Sequence, residues 1–310
     1  MLQGSMPYVV LAMSSLKSIG RFAPSPTGPL HFGSLVSAVA SFVDARHRNG
    51  QWLLRIEDID PPREVAGASD LILHQLDSHG LGWDGPVLYQ STRLDSYANA
   101  LQQLVDQGLI YRCQCNRQRI VSLGGIYDGH CQHLAHGPDN SAARLLVKHA
   151  PAISHFDDAI LGPCQQQLMA EVGDFVLQRR DRLFSYQLAV VVDDEFQGIT
   201  HIMRGADLLD STPRQIYLQQ CLNYRQPQYA HTPLALNGEG QKLSKQNLAL
   251  ELQPGAEAKN LWLALDWLQQ TPPQELQQQT VATILHWAIQ HWRLDPLIRS
   301  PQNAPAPEGY

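Results

Sequence analysis

The chain has 310 residues, 44% of them apolar and 17% charged, a length and composition that suit a globular protein with one large or two modest domains. Its net charge of −6 argues against indiscriminate attraction to phosphate backbones, which needs clustered Lys and Arg. No apolar run approaches the ~20 residues that span a bilayer, so no membrane partner is expected.

In chain order, the apolar stretch Tyr8 to Met13 has neither a positive region before it nor a cleavage site after it. Residues 1–17 are therefore expected to be a loose leader and not a secretory signal. From residue 18 to about 250 the pattern is that of an α/β core. A short strand ends near Phe22, and the Pro/Gly-rich loop Ala23 to Leu30 follows. The helical spacing of Leu35, Val36, Val39, Phe42 and Val43 predicts a helix from about Phe32 to Arg48, closed by Asn49–Gly50. Trp52 to Ile56 reads as a buried strand. Strand, loop, helix and strand make a βαβ unit, whose first turn is where a phosphate-handling loop belongs.

Two further helices are expected over Val65 to Ser78 and Arg93 to Gln107. At Tyr111 the texture changes to Cys, His and Gly, which predicts an insertion at about 111–183. Near its end, Gln178–Arg179–Arg180–Asp181–Arg182 reads equally as a basic face for nucleic acid or as a solvated turn. The apolar run Leu188 to Val192, ending in Asp193–Asp194, reads as a return to the central sheet. A helix is expected from about Pro213 to Leu222, a helical domain over 251–300, and a disordered tail over 301–310.

Two segments carry most of the chemistry. In Arg21 to Ser34, three prolines stiffen the chain, Gly28 permits a turn, and His31 with Gly33 opens a helix. A helix N-terminus attracts phosphate through unpaired N–H groups and its dipole. His31 could donate to a phosphate oxygen there, and the small Gly33 would let a base or ribose approach the backbone. The second segment is Lys242–Leu243–Ser244–Lys245–Gln246, preceded by Asn237–Gly238–Glu239–Gly240. A glycine-rich loop with two lysines can close over a triphosphate. Either segment alone also fits an ordinary connection.

Taken in order, these segments resemble the HIGH and KMSKS signatures of the class I aminoacyl-tRNA synthetases. Arg21 to Leu30, Arg55 to Asp60, Gly125 to Cys131, Leu188 to Asp194 and Arg204 to Asp207 extend the likeness to the glutamyl branch, over roughly Gly20 to Leu250. Ser34 stands where that class has the final His of HIGH, and Gln246 where it has the last Ser of KMSKS. The resemblance implies a Rossmann-type class I catalytic core with a zinc-bearing insertion and a small C-terminal helical domain, without an anticodon-binding domain.

It further implies ATP-dependent, tRNA-independent activation of L-glutamate as an adenylate, with Mg accompanying ATP. His31 and Lys245 take the catalytic positions. His31, Gly33, Ser34, Lys242, Ser244 and Lys245 take the ATP-binding ones. Arg21, Phe22, Ala23, Pro24, Ser25, Glu57, Tyr186 and Arg204 form the glutamate pocket. The charges agree, since glutamate brings two carboxylates for guanidinium groups and one ammonium for an acid such as Glu57.

The implied partner is tRNA. A short paralogous branch of the glutamyl enzymes places glutamate on the queuosine base at the wobble position of tRNA(Asp), and the chain is closest to that branch. The alternatives are a compact enzyme charging the 3′ end of tRNA(Glu), and a catalytically silent tRNA-binding module. A cytoplasmic monomer is expected.

The five cysteines are an odd number with no secretory signal, which points to a reducing compartment and to metal sooner than disulfides. Cys113, Cys115 and Cys131 supply three of the four ligands that structural zinc requires. On chemistry alone His133 is the best fourth, with His130 and His136 behind it. The resemblance implies Tyr127 instead.

Overall fold

The computed structural model describes residues 17–243, 250–298 and 303–310. The expected leader, apart from its last residue, lies outside the described residues, as do Ser244, Lys245 and Gln246.

Parallel strands β1 (Ile19–Phe22), β2 (Gln51–Ile56) and β3 (Leu88–Tyr89) form one half of the central layer. Helix α1 (Phe32–His47) connects the first two, as the spacing predicts, and Asn49 takes the left-handed turn that ends the crossover. Helices α2 (Ala68–Ser78) and α3 (Leu94–Asp106) follow β2 and β3, starting slightly later than expected. The expected insertion opens with β4 (Ile110–Cys113), α4 (Arg117–Ser122) and β5 (Ala142–Leu145). Next come β6 (Ser154–Asp158), β7 (Gly162–Gln166), α5 (Leu168–Glu171) and β8 (Phe175–Gln178).

Strands β4, β5 and β8 make a separate antiparallel sheet, whereas β6 and β7 return to the central layer. The segment 111–183 is thus not one inserted body. Its sheet also shares an apolar core with α3, through Ala143, Leu145, Phe175 and Leu177 packed with Tyr97 and Leu104.

Helix α6 (Tyr186–Phe196) corrects the expected strand at Leu188 to Val192. Leu188 through Asp194 are all buried, and an unbroken apolar run on a fully enclosed helix looks like an interior strand. The deciding local signal is Ser185, whose hydroxyl caps the helix by accepting from the Leu188 N–H at 3.4 Å.

Strand β9 (His201–Gly205), helix α7 (Thr212–Leu222) and strand β10 (Gln228–Thr232) complete the second half of the central layer, in the order β7-β6-β10-β9. Strand β9 meets β1 where the Thr200 N–H donates to the Ile19 carbonyl at 2.9 Å. The chain therefore winds outward in opposite directions from a junction between β1 and β9. Such a reversal leaves a crevice at the carboxyl ends of the strands, where α/β proteins bind ligands.

The short strand β11 (Leu234–Leu236) follows, and then helices α8 (Glu257–Trp267), α9 (Val281–His291) and α10 (Asp295–Ile298). The C-terminal helices share the core beneath α1: Leu261, Leu265, Ile284 and Ala288 pack with Leu35 and Val39, and Trp292 donates to Asp44 at 3.1 Å. Residues 303–310 depart from the expected disordered tail. Strand β12 (Asn303–Pro305) pairs with β11, and Tyr310 bonds Asn260 and lies against the Phe32 ring. Apolar and aromatic burial outweighs the Pro/Asn-rich composition there. No helix among the described residues is long and apolar enough to cross a membrane.

Candidate functional site

A cleft of about 1010 Å³ opens over the β1–β9 junction. Its walls include Arg21, Phe22, Ala23, Pro24 and Ser25 from β1 and its loop, and Glu57 beyond β2. Tyr186, Arg204, His31, Gly33, Ser34 and Lys242 complete the expected residues that it brings together. A bond from the Glu57 N–H to the Pro24 carbonyl at 3.0 Å ties the two loops that carry the first group.

The charges are arranged in two buried groups. In one, Asp194 of α6 accepts from Arg21 Nε and Nη2 at 3.1 and 3.2 Å and from Arg55 Nη2 at 2.7 Å. Arg55 also lies 3.7 Å from Glu57. Burial opposes the charge on Arg21, but the adjacent Asp194 carboxylate overrides this and holds the guanidinium firmly protonated. Burial likewise pushes Glu57 up to about 7, against the pull of Arg55 and Arg21. Sequence reasoning missed Asp194 and Arg55 as partners. The available signal was a charged residue inside one apolar run and another at the end of a second, since a buried charge needs a counter-charge.

The second group surrounds Arg204 on β9. Its Nη1 donates to the Tyr186 hydroxyl at 3.3 Å, its Nη2 to Thr212 Oγ1 at 2.8 Å, and its Nε to His231 Nε2 at 3.1 Å. The arrangement offers two fixed guanidinium groups and a nearby carboxyl within one cleft. It suits a small zwitterion that carries additional negative charge.

Beside this lies the N-terminus of α1. His31 caps the helix, its Nδ1 accepting from the Ser34 N–H at 3.3 Å, so the neutral imidazole carries its proton on Nε2. Gly33 leaves this posture unhindered, since a Cβ there would stand 3.2 Å from the His31 ring and press it aside by a few tenths of an ångström. Asp207 pairs with Lys242 where the chain enters the lysine-rich loop.

A separate cluster gathers Cys113, Cys115 and Cys131, whose Sγ atoms all lie within 4.8 Å of one another. The Tyr127 hydroxyl stands 3.4 Å from Cys113 and 3.6 Å from Cys115, and Cys115 is 3.5 Å from Cys131. Zinc–sulfur bonds of about 2.3 Å in a tetrahedron put ligand atoms roughly 3.8 Å apart, so these four side chains fit zinc. Among the described residues no His, Asp or Glu joins the three sulfurs, which disfavours the three nearby histidines. Tyr127 is held from outside by the Arg144 guanidinium, 3.9 Å from its ring centroid.

Comparison with known proteins places the chain. The family described as tRNA synthetases class I (E and Q), catalytic domain, matches residues 18–257. The glutamyl-Q tRNA(Asp) synthetase of Escherichia coli (strain K12) is 52% identical over 289 residues, 93% of this chain and 93% of that relative. The protein of the same name from Salmonella typhi is 51% identical over 294 residues, 95% of this chain and 98% of that relative. Among solved structures, a glutamate tRNA ligase from Elizabethkingia meningosepticum, in complex with its amino acid, superposes with a TM-score of 0.75. At 22% identity, over 94% of this chain and 68% of that one, it is a match of fold.

Proposed function

The chain belongs to the catalytic-domain family of class I tRNA synthetases for glutamate and glutamine, and on that premise we propose that it activates L-glutamate with ATP and transfers it to the queuosine base of tRNA(Asp). The carrying observation is the pairing, in one cleft, of a charge-matched pocket with a helix N-terminus suited to phosphate. Arg21, Arg204 and Glu57 form the first, and His31 with Gly33 and Ser34 forms the second.

In the first step a glutamate carboxylate oxygen attacks the α-phosphorus of ATP, and pyrophosphate leaves. The protein's task is alignment and stabilisation of developing charge. Arg21 and Arg204 bind the two carboxylates, and Glu57 in its ionised form takes the ammonium. The dipole of α1 and the His31 Nε2–H stabilise the reacting phosphate. Lys245, outside the described residues, is assigned to the same charge, with Mg accompanying ATP. In the second step a hydroxyl of the acceptor attacks the acyl carbon and AMP leaves.

Cys113, Cys115, Cys131 and Tyr127 are assigned to one structural zinc ion, which would fasten the loop between β4 and β5. The choice of queuosine over a tRNA 3′ end rests on the names of relatives about half identical over nearly their whole length.

The test is transfer of labelled glutamate, with ATP, to tRNA(Asp) with and without queuosine and to tRNA(Glu). Label confined to queuosine-containing tRNA(Asp) is expected. Label on tRNA(Glu) would replace this reading with that of a compact charging enzyme.

A further inference from the structure

The structure assigns Asp158 and His231 a positioning role: together they fix the donor–acceptor pattern that holds Arg204 in the cleft. This rests on the proposed glutamate pocket and names residues outside it.

The three side chains lie on the adjacent strands β6, β10 and β9. His231 stands opposite Arg204 in the β10–β9 register, and Asp158 ends β6 beside Tyr229 of β10. The side chains of Asp158 and His231 are both 0% exposed. Asp158 Oδ1 accepts from the backbone N–H groups of Ile160, Leu161 and His231, at 3.0, 2.9 and 3.1 Å. Its Oδ2 lies 2.6 Å from His231 Nδ1. Burial alone would raise the Asp158 pKa, but these donors hold the carboxyl below its ordinary value, so it is the ionised acceptor.

His231 Nδ1 must then carry the proton. Burial and the nearby Arg204 hold the imidazole neutral against the pull of Asp158. Its Nε2 is consequently a bare lone pair, and it accepts from Arg204 Nε at 3.1 Å. Thr212 Oγ1, 3.2 Å from the same nitrogen, receives Arg204 Nη2 at 2.8 Å. With Nε and Nη2 anchored in the interior, Nη1 is aimed at the Tyr186 hydroxyl on the cleft wall. A ligand carboxylate placed there meets two aligned donors, because the Tyr186 oxygen accepts from Arg204 and its own proton is then directed onward.

Asp158→Asn isolates the tautomer. The amide oxygen can keep the three backbone bonds, while the NH₂ group turns toward His231 Nδ1. That moves the imidazole proton to Nε2, against the Arg204 Nε–H, where two donors cannot pair. The expected result is a rise of about 10-fold or more in the KM for glutamate in glutamate-dependent pyrophosphate exchange. The KM for ATP should move little, whereas the melting temperature should fall by a few degrees, because two buried donors are left facing each other. The contrast between the glutamate and ATP KM values is therefore the specific readout. The single variant H231Q, with Asp158 retained, can donate its amide NH₂ to Asp158 Oδ2 and present its oxygen to Arg204 Nε, and should keep most of the affinity that D158N loses. Independently of activity, ¹⁵N NMR of the full chain should show His231 protonated on Nδ1 in the wild type and on Nε2 in D158N, with a shifted Arg204 Nε–H.

The outcomes separate. Wild-type protein without glutamate-dependent exchange overturns the reading of the cleft and leaves the NMR signals to judge the positioning role. Wild-type exchange together with a D158N glutamate KM within about twofold overturns the positioning role itself. So does an unchanged His231 tautomer in D158N.

Discussion

Replacing Asp194 with Asn probes the charge balance beneath the cleft. Asp194 is 4% exposed and lies between Arg21, also 4% exposed, and Arg55, 0% exposed. The substitution conserves volume, so no cavity opens, and one buried negative charge between two guanidinium groups is lost. Removing one partner of a buried ion pair costs about 3–5 kcal/mol, because the remaining charge is stranded in a poorly polarisable interior. Glu57 offsets part of this. Its pKa, raised to about 7 chiefly by burial, is also held up by the Asp194 charge. Deleting that charge lets Glu57 ionise more fully and returns some negative charge to the cluster.

The lower end of the range is therefore expected, about 3 kcal/mol, or roughly 5 °C in melting temperature for a chain of this length. The effect has a definite pH dependence. Burial pushes Asp194 up, but Arg21 and Arg55 hold it below its ordinary value. Its contribution is therefore fully present above the unfolded pKa of about 3.9, and is lost as pH falls through the lower folded value. Melting of wild type and variant should differ fully at pH 7, and the gap should close only in strong acid. The glutamate KM should rise as well, since Arg21 loses the partner that orients it. A melting difference equivalent to less than about 1 kcal/mol at pH 7, with an unchanged glutamate KM, would refute the account.

Two further outcomes follow from the same geometry. Because burial raises Glu57 to about 7 from 4.5, the folded state retains a proton that the unfolded chain has released, and stability should fall between those values as pH rises. Glutamate affinity should change in the opposite sense, improving as pH passes through about 7, and Glu57→Gln should flatten both profiles in melting and exchange assays. Near the proposed zinc site, a Cβ on Gly173 would lie 2.4 Å from the Tyr127 carbonyl oxygen, at a φ of +68° that side chains rarely adopt. Gly173→Ala should therefore lower the zinc content measured by elemental analysis from near one per chain, and a fully occupied, normally melting variant would refute the claim that this close backbone contact holds Tyr127 in place.

What the sequence made legible divides by distance along the chain. The α1 N-terminus, its preceding loop and the Cys113–Cys115–Cys131 set could be read because their chemistry is local. His31 and Ser34 sit three residues apart, and the three cysteines all fall between positions 113 and 131. The Arg21–Asp194 pair spans 173 residues and His231–Asp158 spans 73, and no periodicity links such positions. The misread run Leu188 to Val192 hid this further. As a strand it would have sent Asp193 and Asp194 to opposite faces. On α6 both are buried, Asp194 toward Arg21 and Asp193 toward Gln90, Arg93 and Tyr97. Two adjacent acids on an enclosed helix therefore anchor two different elements, α3 with its preceding turn and the strands β1 and β2. An error in one secondary-structure assignment thus removed from view the counter-charge that makes a buried Arg21 tenable. The arginines could be proposed as ligand-facing from type and motif, but the reason that they remain charged and aimed lies in residues that only the folded chain brings to them.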